Sequence, residues 1–221
     1  MIPKTFKTSN KYKKIRACKK GTASQAIGVI EKGTDTFCLT YGQFSLIDAL
    51  LAVLDQTGPA HVVVSTWTAA HADLTRSAEL LETAEILSFK LIVDRSFHSR
   101  QPEYYQHMLQ LFGTDSIRAI RTHAKFITIR NEKFDIVVRT SMNLNSNPRL
   151  ENIEVSENKD FAEFFEAIAN DIFAEVSPGE MRSDQLQLES IMEDDFFNPI
   201  KAYPIKRKSV KEATYTYELK H

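Results

Sequence analysis

Residues 61–66, HVVVST, decide how the chain folds. The stretch is β-branched and almost unbroken in its apolar content. A strand with one solvated face alternates apolar and polar residues, so this run predicts a strand covered on both faces. Such strands sit in parallel or mixed sheets with helices packed on either side.

The neighbouring segments agree. Upstream, residues 44–54 place Phe44, Ile47, Leu50, Leu51 and Leu54 on a helical stripe, with Ser45 near its start as a cap and Gly58-Pro59 as its stop. Downstream, residues 70–84 form an amphipathic helical pattern and residues 86–93 a further strand. A third helix is predicted over Pro102–Phe112, where Pro is tolerated in the first turn and Gly113 ends it. Ser116–Arg121 opens the next strand. Two short apolar segments, Ala26–Ile30 and Thr36–Thr40, flank a Glu-Lys-Gly-Thr-Asp break and are predicted as strands joined by a turn. Strands and helices alternate through residues 36–121, which predicts an α/β sandwich with a mixed central sheet flanked by helices. A final strong helix is predicted over Asp160–Val176, with Phe161, Phe164, Phe165, Ile168, Ile172 and Phe173 on one face. Ser177-Pro178-Gly179 ends it and marks the edge of the domain.

Composition narrows the class. A chain of 221 residues with 43% hydrophobic and 26% charged residues suits one globular domain with appendages. No apolar run approaches the roughly 18 residues of a membrane span, and the N-terminus lacks the apolar stretch of a secretory signal. Cys18 and Cys38 are too few for a disulfide framework and lack metal-ligand spacing, so reduced thiols in a cytoplasmic protein are expected. No Gly-rich phosphate loop and no CxxC or HExxH pattern occurs, and neither a metal nor another cofactor is expected.

Charge is unevenly spread although the formal net charge is only -1. Residues 1–20 hold eight Lys or Arg and no acid, which reads either as a solvated arm or as a strip that follows a phosphate backbone. The expected organisation is a basic arm over residues 1–24, a domain over 25–178, and an acidic then basic appendage over 179–221.

The chemistry gathers in residues 123–154, HAKFITIRNEKFDIVVRTSMNLNSNPRLENIE. Residues 125–129 and 134–138 predict a hairpin, with one more strand at 153–155. His123 and Lys125 are two apart, so on an extended chain they share a face. A lone His on a strand is usually structural, but a Lys beside it is costly to bury without an anion. Ser141 and Asn143 repeat the spacing at the end of the neighbouring strand. An imidazole, an ammonium, a hydroxyl and an amide on one face suit a phosphoryl group. Asn145, Asn147 and Arg149 are further donors, or else serve loop turns. Arg95, at the end of a central strand, is a candidate substrate contact, since ligands of α/β folds gather at strand ends. Trp67 reads as a rim or core aromatic rather than a base-stacking platform.

These residues resemble the phospholipase D superfamily, whose motif is H-x-K, a spacer containing Asp, then (G/S)-S-x-N. His123-Ala124-Lys125 and Thr140-Ser141-Met142-Asn143 match it in order, and Glu151-Asn152 looks like the Glu-Asn pair that follows in single-motif members such as small bacterial endonucleases. Two positions depart: Arg130 stands where the family has Asp, with Asp135 and Asn131 nearby, and Thr140 stands where it has Gly. The resemblance covers roughly residues 25–176. It implies metal-free phosphodiester transfer. His123 would form a phosphohistidine, Lys125 and Asn143 would neutralise the phosphoryl oxygens, Ser141 would hold those oxygens or the imidazole, and Glu151 would orient the imidazole. Because no other His has a Lys two residues on, it also implies a homodimer with His123 of each copy in one cleft. The basic segments 1–20 and 201–211 favour DNA or RNA over lipid, and no membrane partner is expected. The alternative is a catalytically impaired nucleic-acid-binding module that keeps the fold and holds a phosphate without cleaving it.

Overall fold

The computed structural model describes residues 12–83, 85–145, 148–183 and 186. The first part of the basic arm, Asn147 and almost all of the C-terminal appendage, including residues 201–211, lie outside the described residues.

Among the described residues, fourteen elements follow in chain order: β1 (Tyr12–Cys18), α1 (Ala23–Ile27), β2 (Thr34–Thr40), α2 (Leu46–Thr57), β3 (Ala60–Thr66), α3 (His71–Glu82), β4 (Ile86–Asp94), α4 (Ser96–Arg100), α5 (Pro102–Phe112), β5 (Ile117–Ile120), β6 (Phe126–Arg130), β7 (Asp135–Thr140), β8 (Glu151–Glu157) and α6 (Lys159–Glu175). The strands make one mixed sheet in the order β1-β2-β8-β7-β6-β3-β4-β5. β1 and β2 run parallel, as do β3, β4 and β5. The remaining pairs, β2/β8, β8/β7, β7/β6 and β6/β3, are antiparallel. The α/β sandwich with a mixed sheet is therefore the observed fold.

The Val run behaves as its composition requires. Val62 and Val64 enter the larger core, where α1, α2, α3 and α5 pack through Ile27, Leu50, Leu74 and Met108. Val63 points to the opposite face, where Ala169 and Ile172 of α6 cover Ile92, Ile120 and Phe126. β4 divides in the same way, with Leu91 and Val93 on one face and Ile92 on the other. Burying a Val or Leu side chain contributes about 1.5–3 kcal/mol, and the conformational entropy of ordering the chain offsets much of the total.

Local signals set the element ends. The Ser45 backbone N–H donates to the Asp48 carboxylate at 2.8 Å and starts α2. Asn158 caps α6 by accepting from the Phe161 N–H at 3.0 Å.

Two sequence expectations need correction. Ala26–Ile30 is not a strand, because the segment begins with the helix α1. Thr22 and Gln25 form a reciprocal capping box, with the Thr22 N–H donating to Gln25 Oε1 at 3.0 Å and the Gln25 N–H to Thr22 Oγ1 at 3.3 Å. The apolar content there belongs to a helix that buries Ala23, Ala26 and Ile27. The parallel partner of β2 is instead β1, drawn from the basic run. Charges suit an edge strand, and within β1 they find local partners: Lys14 pairs with Glu31 at 2.7 Å, and Arg16 donates to the Gln25 carbonyl at 3.3 Å. The short helix α4 was also not anticipated.

Ile127 lies in the middle of the sheet and is fully buried. Ile127→Ala is expected to lower unfolding free energy by about 2–5 kcal/mol in denaturant titration. Leu87→Ala, at a side chain 53% exposed, is expected to change it by less than about 0.5 kcal/mol.

Candidate functional site

Strand direction decides which residues can meet. β6 runs antiparallel to β3, so it begins beside the point where β3 ends, with Ser65 opposite Phe126. β7 ends beside the start of β6, and β8 begins beside the end of β7, with Thr140 opposite Ile153. One rim of the sheet thus carries the segment before β6, the loop after β7 and the first residues of β8. His123 and Lys125, Ser141 and Asn143, and Glu151 lie on these three pieces.

His123 is in the connection between β5 and β6, just ahead of the strand, and is exposed. Side chains and backbone hold this connection. The Ser65 hydroxyl donates to the Ala124 carbonyl at 2.9 Å. The Asp94 carboxylate accepts the Thr122 N–H at 3.1 Å and the Ser96 N–H at 2.9 Å, tying the exits of β4 and β5 together. The Lys125 ammonium lies 3.3 Å from Nδ1 and 3.4 Å from Nε2 of His123 and donates to its carbonyl at 3.0 Å. Burial pushes Lys125 below its ordinary pKa, and the Glu151 carboxylate opposes that shift.

Across the rim, the Ser141 hydroxyl donates to the Glu151 carboxylate and accepts the Asn152 N–H at 3.0 Å. Thr140, the residue before Ser141, turns its hydroxyl inward. It donates to the Asn152 carbonyl at 2.6 Å and accepts the Met142 N–H at 3.0 Å. The Cβ is thereby used to hold the loop after β7 against β8. Asn143 is half-buried, with Oδ1 3.5 Å from the Thr66 hydroxyl at the end of β3. Thr66 also accepts the Leu144 N–H at 3.4 Å, so β3 anchors the loop that carries Asn143.

The expected site residues thus separate into those that meet and those that do not. His123 meets Lys125, and Ser141 meets Glu151. Within one chain, Glu151 binds the Ser141 hydroxyl rather than the imidazole it was expected to orient. Asn145 is bridged to Asn143 in the loop, while Arg149 is exposed just before β8. Arg95 is exposed at the exit of β4, on the same rim, where its N–H donates to the Ile120 carbonyl at 2.8 Å. Reasoning from the sequence missed Thr66, Asp94 and Arg100. Trp67, read there as a rim or core aromatic, sits against His123 with ring centroids 5.6 Å apart. Strand pairing reveals these neighbours, and no spacing rule flags them.

No protein-family model matches the chain, and no curated protein matches it. Among solved structures the chain is similar to Nuc from Salmonella typhimurium, a phospholipase D family member, with a TM-score of 0.46 and 17% identity, covering 65% of this chain and 97% of that one. It is similar to NucT from Helicobacter pylori, with a TM-score of 0.45 and 14% identity, covering 65% of this chain and 99% of that one. It is also similar to polyphosphate kinase from Porphyromonas gingivalis, with a TM-score of 0.45 and 12% identity, covering 66% of this chain and 27% of that one. The site described above rests on the geometry of this chain alone.

A cavity of about 620 Å³ lies at the opposite rim, lined by residues that include His61, Leu87, Asn131, Asp135 and Glu166. Arg130 sits there, at the far end of β6 from Lys125. Its guanidinium bonds Asp135 at 2.6 Å and the Glu166 carboxylate, with Glu163 at 3.5 Å. Arg130 and Asp135 face each other across the β6/β7 ladder. Arg130 therefore locks the hairpin to α6. His123, Lys125, Ser141 and Asn143 are all at the other end of the sheet. Among the described residues, no group of three or more His, Cys, Asp or Glu is placed to hold a metal ion, and no helix is long and apolar enough to cross a membrane.

Arg130→Ala removes the cation shared by the Asp135, Glu163 and Glu166 carboxylates. It is expected to lower unfolding free energy by about 1–2 kcal/mol, between the exposed and buried limits for ion pairs. Any turnover at the His123 rim should stay within twofold of the parent, a difference that steady-state kinetics would resolve.

Proposed function

We propose that the chain is a metal-independent phosphodiesterase of the phospholipase D type, acting on nucleic acid through a phosphohistidine in a site shared by two copies. One observation carries the reading: the Lys125 ammonium rests within 3.4 Å of both ring nitrogens of an exposed His123, on the rim that also bears Ser141, Asn143 and Glu151. A cation beside an imidazole is repulsive once the ring is protonated, and the pair becomes favourable around an anion.

The chemistry balances with these groups. A ring nitrogen of His123 attacks phosphorus, an N–P bond forms, and the bond from phosphorus to the leaving oxygen breaks. His123 of the second copy, protonated, gives its proton to that oxygen. Water then attacks the phosphohistidine, the second imidazole takes its proton, and the N–P bond breaks. Lys125 offsets the charge on the nonbridging oxygens. Asn143, whose Oδ1 faces Thr66, keeps its amide N–H groups as donors to the same oxygens. Ser141, held by Glu151 and the Asn152 N–H, sets the edge of the phosphate pocket. Each chain carries one such half-site, and a closed two-fold pair places the two imidazoles on opposite sides of one phosphorus. Exposed Arg95, Arg121 and Arg149 along the same rim favour a polyanionic strand over a lipid.

DNA in single- and double-stranded form and RNA, incubated with the protein in EDTA, are expected to be cleaved by the parent and left intact by His123→Ala. Salt-sensitive binding without cleavage, indifferent to that substitution, would establish the binding module instead. Full activity of a monomer at micromolar concentration, seen by sedimentation, would rule out the shared site.

The depressed Lys125 pKa sets a second expectation. The ammonium is lost at lower pH than for an ordinary lysine, so kcat/KM should fall on the alkaline side below the usual lysine range. Lys125→Arg, which stays charged, should lower the rate and abolish that alkaline limb in a pH profile.

A further inference from the structure

Trp67 and Arg100 form a built pair beside His123. The Arg100 guanidinium carbon lies 3.8 Å from the centre of the Trp67 ring. Two hydrogen bonds hold it in place: Nη2 donates to the Trp67 carbonyl at 3.0 Å, and Nε donates to Ser96 Oγ at 3.0 Å. Ser96 is in turn held by the Asp94 carboxylate, the group that also fixes the connection leading to His123. The Thr68 hydroxyl, next to Trp67, donates to Gln101 Oε1 at 3.0 Å, a second tie between the exit of β3 and the α4–α5 junction. Arg100 is exposed and Trp67 partly so.

Resting on the phosphodiesterase reading above, we infer that the Trp67–Arg100 pair is a stacking platform for the nucleobase next to the scissile phosphate, and that the preferred substrate is an unpaired strand. A phosphorus at the His123 nitrogen carries its own nucleoside within one sugar's length, and the Trp67 ring centre is 5.6 Å from the imidazole. Flat aromatic and guanidinium surfaces accept any base, because every base has a π-face. An Arg on a Trp ring is itself favourable, so the surface is formed before the strand arrives. In a duplex both faces of an internal base are already stacked on its neighbours, and reaching the platform requires the base to leave the helix at a cost of a few kcal/mol. An unpaired strand meets no such cost. The arginines at positions 95, 121 and 149 flank the platform on the rim and are suited to the backbone on either side.

The chain has a single Trp, so Trp emission excited at the red edge, where its seven Tyr do not absorb, reports this site alone. The full chain carrying His123→Asn, which leaves strands uncut, would be titrated with an unpaired DNA dodecamer, an RNA of the same sequence, the same DNA in a duplex, and inorganic phosphate. The platform predicts quenching by the unpaired strands, with little from the duplex and none from phosphate. Arg100→Ala, at an exposed side chain, should weaken binding of the unpaired strand about tenfold while leaving duplex binding unchanged. Equal quenching by duplex and unpaired strand would overturn the inference, as would strand binding seen by anisotropy without any quenching. Cleavage by the parent chain is measured separately. Quenching without cleavage leaves the platform standing and removes the phosphodiesterase, whereas cleavage without quenching removes the platform alone.

Discussion

The antiparallel pairing of β6 against β3 is the constraint on which the site depends. β3 is parallel to β4 and β5, so the exits of all three lie on one rim. Had β6 joined β3 in the same direction, the segment ahead of it would have started at the opposite rim. Running back, it brings residues 123–125 beside Ser65, Thr66 and Trp67. β7 and β8 then follow as a meander, and each reversal returns the chain to one rim or the other. Ser141 and Glu151 reach the His123 rim because β7 ends there and β8 begins there.

The two rims differ in how their charged and polar groups are paired. At one, polar side chains are exposed or half-buried and aim at solvent around His123. At the other, Arg130 is enclosed by Asp135, Glu163 and Glu166 and fastens the hairpin to α6. The separation follows from the length of β6, since a strand of five residues spans about 17 Å. The Arg130 cluster thus lies a strand's length from His123. Between the rims, the central strands are apolar on both faces and hold the two ends in fixed relation.

The polar groups of the His123 rim are exposed or half-buried. The cavity of about 620 Å³ lies at the other rim, where the charges already satisfy one another. On the first rim the exits of β3, β4 and β5 lie side by side, and Trp67 and Arg100 belong to the segments that follow β3 and β4.

Much of this was legible in the sequence. HVVVST announced a strand covered on both faces, the helical stripes announced its covering layers, and residues 123–154 announced a cluster of polar groups, of which His123 meets Lys125 and Ser141 meets Glu151. Local rules were also decisive where they were overlooked: Thr22 and Gln25 begin a helix where apolar content suggested a strand. Other features depended on pairing. A basic run became the edge strand β1 because β2 offered a parallel partner, and Arg130 acquired carboxylates from β7 and α6 rather than a role beside Lys125. Glu151 turned to Ser141, and Trp67 came to rest near both Arg100 and His123. The sequence by itself determined which residues prefer strand, helix or turn, and which chemical groups the chain carries, because those preferences act over a few neighbouring residues. Only the tertiary structure decided which groups meet, because distances across a sheet depend on the order and direction in which strands pair, and that choice is made by the packing of the whole core.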